Sequence, residues 1–335
     1  MTLTETTEKK KKKGNKSALI SIGAVVVLGF IFSLMNPPVW PEIKLAAEPL
    51  SKAPLFGNVY LTNTMVTMVL VDVVVLLMAF IIRRMVMHSK DDVHSGTIGA
   101  IEAILDYIYG LTEKTAGKKW VKTIFPFFAI IFFYVLIANW MEIIPGIESI
   151  GILEPKPAGE GWYAQPLGFF NLYLLRPFLV EDGYGLVPFT RTLTTDINFT
   201  MGLAIFAMFS VQVIGIKSLG INYFSKFFTI KHLRANPFMG LIDMFVGFLE
   251  LISEFAKIIS FTFRLFGNVF AGMVILIVIG TLVPMLPVQS VFLVLELFFG
   301  TIQALVFGML TMVFMSMAVK SHEKKKEESP AGETG

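Results

Sequence analysis

Residues 250–268 read ELISEFAKIISFTFRLFGN, and the fold turns on how they are read. The run is apolar enough to lie in lipid, yet it carries Glu250, Glu254, Lys257, Arg264 and Asn268, spaced by four, three, seven and four residues. At helical periodicity these positions share one face, and Phe261 falls on the same stripe. Ionisable groups inside a membrane span are costly and mark function by default. Arginine keeps its charge at any physiological pH, so Arg264 requires a facing carboxylate, water or both. One reading pairs it with Glu296 of the following apolar run as a structural ion pair. Lys257 can snorkel to the interface, and Glu254 suits a solvated rim equally well. Glu296 and Gln303, seven residues apart, share a face of the last run, and Glu296 has no cationic neighbour on its own helix. Asn139 and Glu142 lie near the outer end of the third run, Asp196 and Asn198 near the start of the fourth.

The rest of the chain agrees with a membrane setting. Of 335 residues, 55% are hydrophobic and only 16% charged, against about 25% charged in a soluble domain. Too few polar side chains remain to coat a globule, which argues against a soluble enzyme. Cysteine is absent and the four histidines lie outside the long apolar runs, so no metal or thiolate chemistry is expected. No glycine-rich nucleotide loop is present, so any use of ATP belongs to partner chains. Nothing points to nucleic acid, and no cofactor is expected.

Six apolar stretches read as spans: 18–35, 60–82, 123–144, 192–216, 241–283 and 286–319. Each approaches or exceeds the roughly 20 residues a crossing needs. Lysine and arginine concentrate at the N-terminus, in 83–122, in 217–240 and in the tail, and are sparse in 36–59 and 145–190. The positive-inside rule then gives six crossings with both termini cytoplasmic, provided 18–35 is an uncleaved anchor and not a signal peptide. Residues 97–115 alternate apolar and charged side chains at helical spacing and suit the cytoplasmic membrane surface. The external stretch 145–190 reads as a loop rich in proline and glycine, with Trp162 and Tyr163 suited to the interface. A helix over 241–278 would be about 57 Å long against roughly 30 Å of hydrocarbon, so it must tilt strongly. The last run has the same excess. Pro284 and Pro287 mark the hairpin between the two, and Gly267, Gly272, Gly300 and Gly308 permit close backbone approach.

The segment Phe261-Thr-Phe-Arg264-Leu-Phe-Gly-Asn268-Val-Phe-Ala-Gly272 resembles the signature helix of subunit a of the F-type ATP synthase. Three further blocks resemble the same family, in the same order: Asn139-Trp-Met-Glu142-Ile-Ile-Pro145-Gly146, Thr195-Asp196-Ile-Asn198-Phe-Thr200, and Glu296-Leu-Phe-Phe-Gly-Thr-Ile-Gln303-Ala. Together they cover about residues 60–319. The resemblance implies an all-α integral membrane protein of five family helices, here with an extra N-terminal apolar helix, the last two long and strongly tilted. It implies a basic cytoplasmic tail (1–17), an anchor or signal segment (18–35), the membrane domain (60–319) with its surface helix (97–115) and ring-facing hairpin (241–319), and a charged cytoplasmic tail (320–335).

In function, the resemblance implies a stator subunit, not an enzyme on its own, in the plasma membrane of a bacterium. Its partners would be the c-ring, the peripheral-stalk b subunits, the rest of the synthase and lipid. Arg264 matches the family's essential arginine, which faces the carboxylate of each ring subunit between two offset half-channels. Asn268, Glu296 and Gln303 match positions of the outer half-channel, with Glu142 near its mouth. Glu250 and Ser253 match cytoplasmic-side positions, Lys257 a frequent basic position there, and Asp196 a further family position. Two departures touch the relay. Met273 stands where some members have an acid, and Glu296 where the same members have histidine. A proton-coupled transporter built on Arg264 and Glu296 would call for pseudo-symmetric halves, and no internal repeat is present. A scaffold subunit would tolerate loss of Arg264. A voltage sensor would need several regularly spaced arginines.

Overall fold

The computed structural model describes residues 46–88, 97–144, 147–157, 160–167, 172–220, 237–282 and 286–320, with isolated positions elsewhere. Apart from such positions, the expected segments 1–17 and 18–35, the tail after Lys320 and Pro284 lie outside the described residues.

Among the described residues six helices carry the fold: α1 (Asn63–His88), α2 (Thr97–Ala116), α3 (Val121–Glu142), α4 (Ile197–Leu219), α5 (Pro237–Leu282) and α6 (Leu286–Lys320). Five of them, all but α2, are long and apolar enough to cross a membrane. Those five match the second to sixth expected runs to within a few residues, and the protein is a predominantly α-helical, multi-pass membrane protein. Leu76 and Phe80 on α1 and Phe255, Ile259 and Phe263 on α5 are exposed apolar side chains, an arrangement stable only where lipid replaces water. At 46 residues, α5 is about 69 Å long at 1.5 Å per residue, longer than the expected helix. Pro287 is the second residue of α6, a position where its missing N–H costs nothing.

Two compact units divide the chain, one of Leu45–Glu148, Thr190–Phe270 and the chain from Phe299, the other including Ser149–Phe189 and Ala271–Phe298. In the larger unit the core is built on Phe128, Phe307, Phe261, Leu265, Met312 and Met315, all 3% exposed or less. The Phe261 and Phe307 rings meet edge-on at 4.9 Å. Lipid is as apolar as these side chains, so close packing rather than exclusion from water must hold the helices together. Gly308 shows how tight it is, since a Cβ there would run into the Phe128 ring. The segment expected to lie along the membrane surface forms the helix α2, with Ile108 and Thr112 fully buried and its last turn bound through Ser316 Oγ donating to the Thr115 carbonyl at 2.8 Å.

The smaller unit holds strands where the sequence leads one to expect a loop. Residues 151–188 form an antiparallel four-stranded sheet, β3 (Gly151–Pro155), β4 (Gly161–Pro166), β5 (Tyr173–Val180) and β6 (Tyr184–Pro188), in the order β3-β6-β4-β5. Pro177 lies in β5, at the sheet edge where a missing donor is tolerated. A further hairpin, β1 (Pro49–Phe56) with β2 (Val59–Thr62), precedes α1 in the larger unit. The fourth span also starts later than the hydropathy suggests. Residues 193–195 form a 3-10 turn, and α4 begins at Ile197, where the Asp196 carboxylate accepts from the Asn198 N–H at 2.9 Å as N-cap.

Candidate functional site

Along α5 the expected polar stripe divides by depth. Phe261 and Leu265 point into the core, whereas Ser253, Arg264 and Asn268 are exposed and Glu250, Glu254 and Lys257 are half-buried. The stripe therefore follows the edge of the packed face. Within its own unit, and among the described residues, Arg264 makes no hydrogen bond or salt bridge. A permanent charge left in this way on an apolar helix needs a partner from outside the fold described here, or water.

One helical turn and more toward the N-terminus of α5, the charges are paired. Lys257 Nζ lies 3.1 Å from Glu254 Oε1 and 5.1 Å from the centre of the Phe314 ring on α6. The other Glu254 oxygen accepts from the Gln212 amide of α4 at 3.0 Å, and the Tyr223 hydroxyl donates to Gln212 Oε1 at 2.6 Å. Glu254 is thus no solvated rim residue, and Lys257 does not snorkel outward.

A second polar group gathers at the C-terminal end of α3. Asn139 donates to the Gly300 carbonyl of α6 at 3.0 Å and accepts from Thr194 Oγ1 at 3.1 Å. Beside it, Trp140 Nε1 donates to Thr301 Oγ1 at 3.0 Å. Glu148 Oε1 takes both the backbone N–H and the hydroxyl of Thr192, at 3.0 and 2.9 Å. Gln303, one turn beyond Gly300, is 7% exposed, and its Nε2 has no hydrogen-bond partner among the described residues. Glu142 is half-buried at this end. Asp196 is 5% exposed and occupied as the cap of α4, so the structure gives it a role in folding.

In the smaller unit Glu296 of α6 is half-buried and presses its carboxylate against Gly272 of α5; a Cβ at residue 272 would collide with both oxygens. Gly272 adjoins Met273, so Glu296 sits beside the position whose missing acid the sequence had flagged.

Geometry thus brings together Asn139, Thr194 and the Gly300 turn of α6 in one group, and Glu254 and Lys257 in another, while Arg264 stands apart. Gln212, Tyr223 and Thr194 escaped the sequence reading. Each is an uncharged polar residue that belongs to no charged stripe, and no spacing announces it.

Comparison with known proteins fits this geometry. The family model described as "ATP synthase A chain" matches residues 65–316. ATP synthase subunit a of Pseudoalteromonas atlantica is 32% identical over 227 residues, covering 66% of this chain and 75% of that protein. The counterpart from Gloeobacter violaceus is 28% identical over 261 residues, covering 78% and 85%. A sodium ion specific subunit a from Propionigenium modestum is 29% identical over 229 residues, and the match spans 66% of this chain and 64% of that relative. The matched span holds Asn139, Arg264, Glu296 and Gln303 together with most of the five membrane helices, and the chain belongs to the ATP synthase A chain family.

Proposed function

We propose that this chain is the stator subunit a of an F-type ATP synthase in a bacterial plasma membrane, where it conducts protons through two offset half-channels to and from the carboxylates of a rotating c-ring. The observation that carries the proposal is Arg264, an exposed cation on a 46-residue apolar helix with no partner in its own unit among the described residues. A ring carboxylate in lipid favours its neutral form, because its charge is poorly solvated there. Beside Arg264 it ionises, since the pair neutralises both charges, and the proton leaves toward one side. The fixed cation also repels hydronium and cannot relay a proton, so it separates the two half-channels. Reprotonation must come from the other side after the ring has turned. A membrane potential biases each transfer by about 2.3 kcal/mol per charge per 100 mV.

In this reading Asn268, Glu296, Gln303 and Glu142 line the outer half-channel, and Glu250, Ser253 and Lys257 lie on the cytoplasmic side. The amide nitrogen of Gln303, without a partner among the described residues, and the neighbouring Asn139–Thr194 group support an outer polar path. The b subunits of the peripheral stalk hold the chain against ring torque. Both termini are cytoplasmic if 18–35 remains attached.

The test is the whole synthase in liposomes with an imposed gradient. ATP formation driven by a proton gradient without sodium supports the proposal. Formation that requires a sodium gradient overturns the ion assignment, and formation that survives Arg264→Ala overturns the role of Arg264.

A further inference from the structure

We infer that Glu254, fixed by Gln212 and Tyr223, compensates the charge of Lys257 and keeps it turned inward, so that Arg264 remains the uncompensated cation of α5. This inference rests on α5 being the ion-path helix. Lys257 and Arg264 are seven residues apart on one helix edge, about 10 Å along the axis at 1.5 Å per residue. Two such charges at the edge of a poorly screened apolar helix would both attract a facing carboxylate and both repel an arriving proton. The lysine would then act as a second, misplaced arginine on the N-terminal side of the first.

The structure shows the means of preventing this. The Lys257 side chain is 25% exposed and that of Glu254 13%, values for a pair held inward. The ammonium lies between the Glu254 carboxylate and the Phe314 ring, which attracts a cation through its electron-rich face. Partial burial of two charges is tolerable only when the remaining hydrogen-bonding sites are filled. Gln212 fills one by donating to the second carboxylate oxygen. Its amide cannot turn over without loss, because the Tyr223 hydroxyl already donates to its carbonyl. Tyr223 is itself 3% exposed, with its ring over Gly215, where a Cβ would clash. The chain Tyr223–Gln212–Glu254–Lys257 therefore specifies one lysine geometry, and a network of this kind loses much of its worth when any member is removed.

The experiment is a double-mutant cycle in the complete synthase, read as ATP-driven proton pumping in inverted vesicles, with assembly quantified and Arg264→Ala as a control. Glu254→Gln alone is expected to lower pumping by about tenfold, within the range of coupling between contacting groups. Adding Lys257→Gln to the same chain should recover most of that loss, because the cation that needed compensation is gone. Gln212→Leu should give a smaller loss with the same rescue. Assembly failure of Glu254→Gln that the double variant repairs supports the inference equally. Normal pumping by Glu254→Gln overturns it. So does an equal defect in single and double variants, which would make Glu254 a proton carrier, and so does assembly failure of both, which would make the pair purely structural. If Arg264→Ala pumps normally, the ion-path reading of α5 fails first and the inference falls with it.

Discussion

Gln303 holds a buried amide whose nitrogen has no hydrogen-bond partner among the described residues. Leaving a buried donor unmet costs about 1–3 kcal/mol, and a leucine of similar size would remove that cost. Gln303→Leu is therefore expected to leave thermal stability in detergent unchanged or raised while ATP-driven pumping falls; a lowered melting temperature would show that the amide serves packing. Gly272 makes the opposite case. Its lack of a side chain admits the Glu296 carboxylate, so Gly272→Ala should destabilise the α5–α6 contact by about 1–3 kcal/mol, the usual cost of overpacking. Wild-type thermal stability of that variant would mean that the glutamate simply moves aside. Asn139 joins Thr194 to the Gly300 carbonyl, and Asn139→Leu would leave the buried Thr194 hydroxyl without its acceptor and take away the second bond to a carbonyl that α6 already uses. A loss of about 1–3 kcal/mol is expected by the same reasoning, measurable as a lower unfolding midpoint.

At the scale of elements, α5 presents two sides that cysteine scanning can tell apart, and the chain has no cysteine of its own to interfere. Asn268 is exposed and Phe261 is buried at 3%. Asn268→Cys should form a disulfide with a cysteine placed beside the ring carboxylate in the assembled synthase, whereas Phe261→Cys should not; cross-linking by Phe261→Cys alone would mean that α5 presents its other face. The five spans were legible in the sequence because each is a long apolar run bounded by polar residues or, between the last two, by prolines, a signal set by membrane thickness. The strands of residues 151–188 were not. Tyr-Leu-Leu-Arg-Pro-Phe-Leu-Val in β5 does not alternate, contains a proline and pairs with β4 through a register shift, so the period of two is lost. The start of α4 departs from the apolar run for a related reason. Hydropathy carries through Thr192–Thr195, but Asp196 binds the Asn198 N–H and fixes the first turn there.

For the whole molecule, the charges that define the candidate site could be read directly, because any charge inside an apolar run is conspicuous. The neutral residues that anchor the polar groups could not, since Gln212 on Glu254, Tyr223 on Gln212 and Thr194 on Asn139 are brought close only by folding. The larger unit pairs Lys257 with Glu254 and, among the described residues, leaves Arg264 without a partner of its own, an arrangement that fits a surface completed by another subunit. Everything proposed for the membrane motor depends on that one cation. It is tested most directly by ATP-driven proton pumping in inverted vesicles bearing the complete synthase with Arg264→Ala, compared with wild type at equal assembly. Pumping should vanish while the complex still assembles and hydrolyses ATP. Pumping at the wild-type rate would reduce Arg264 to a structural residue and remove the proposed ion path.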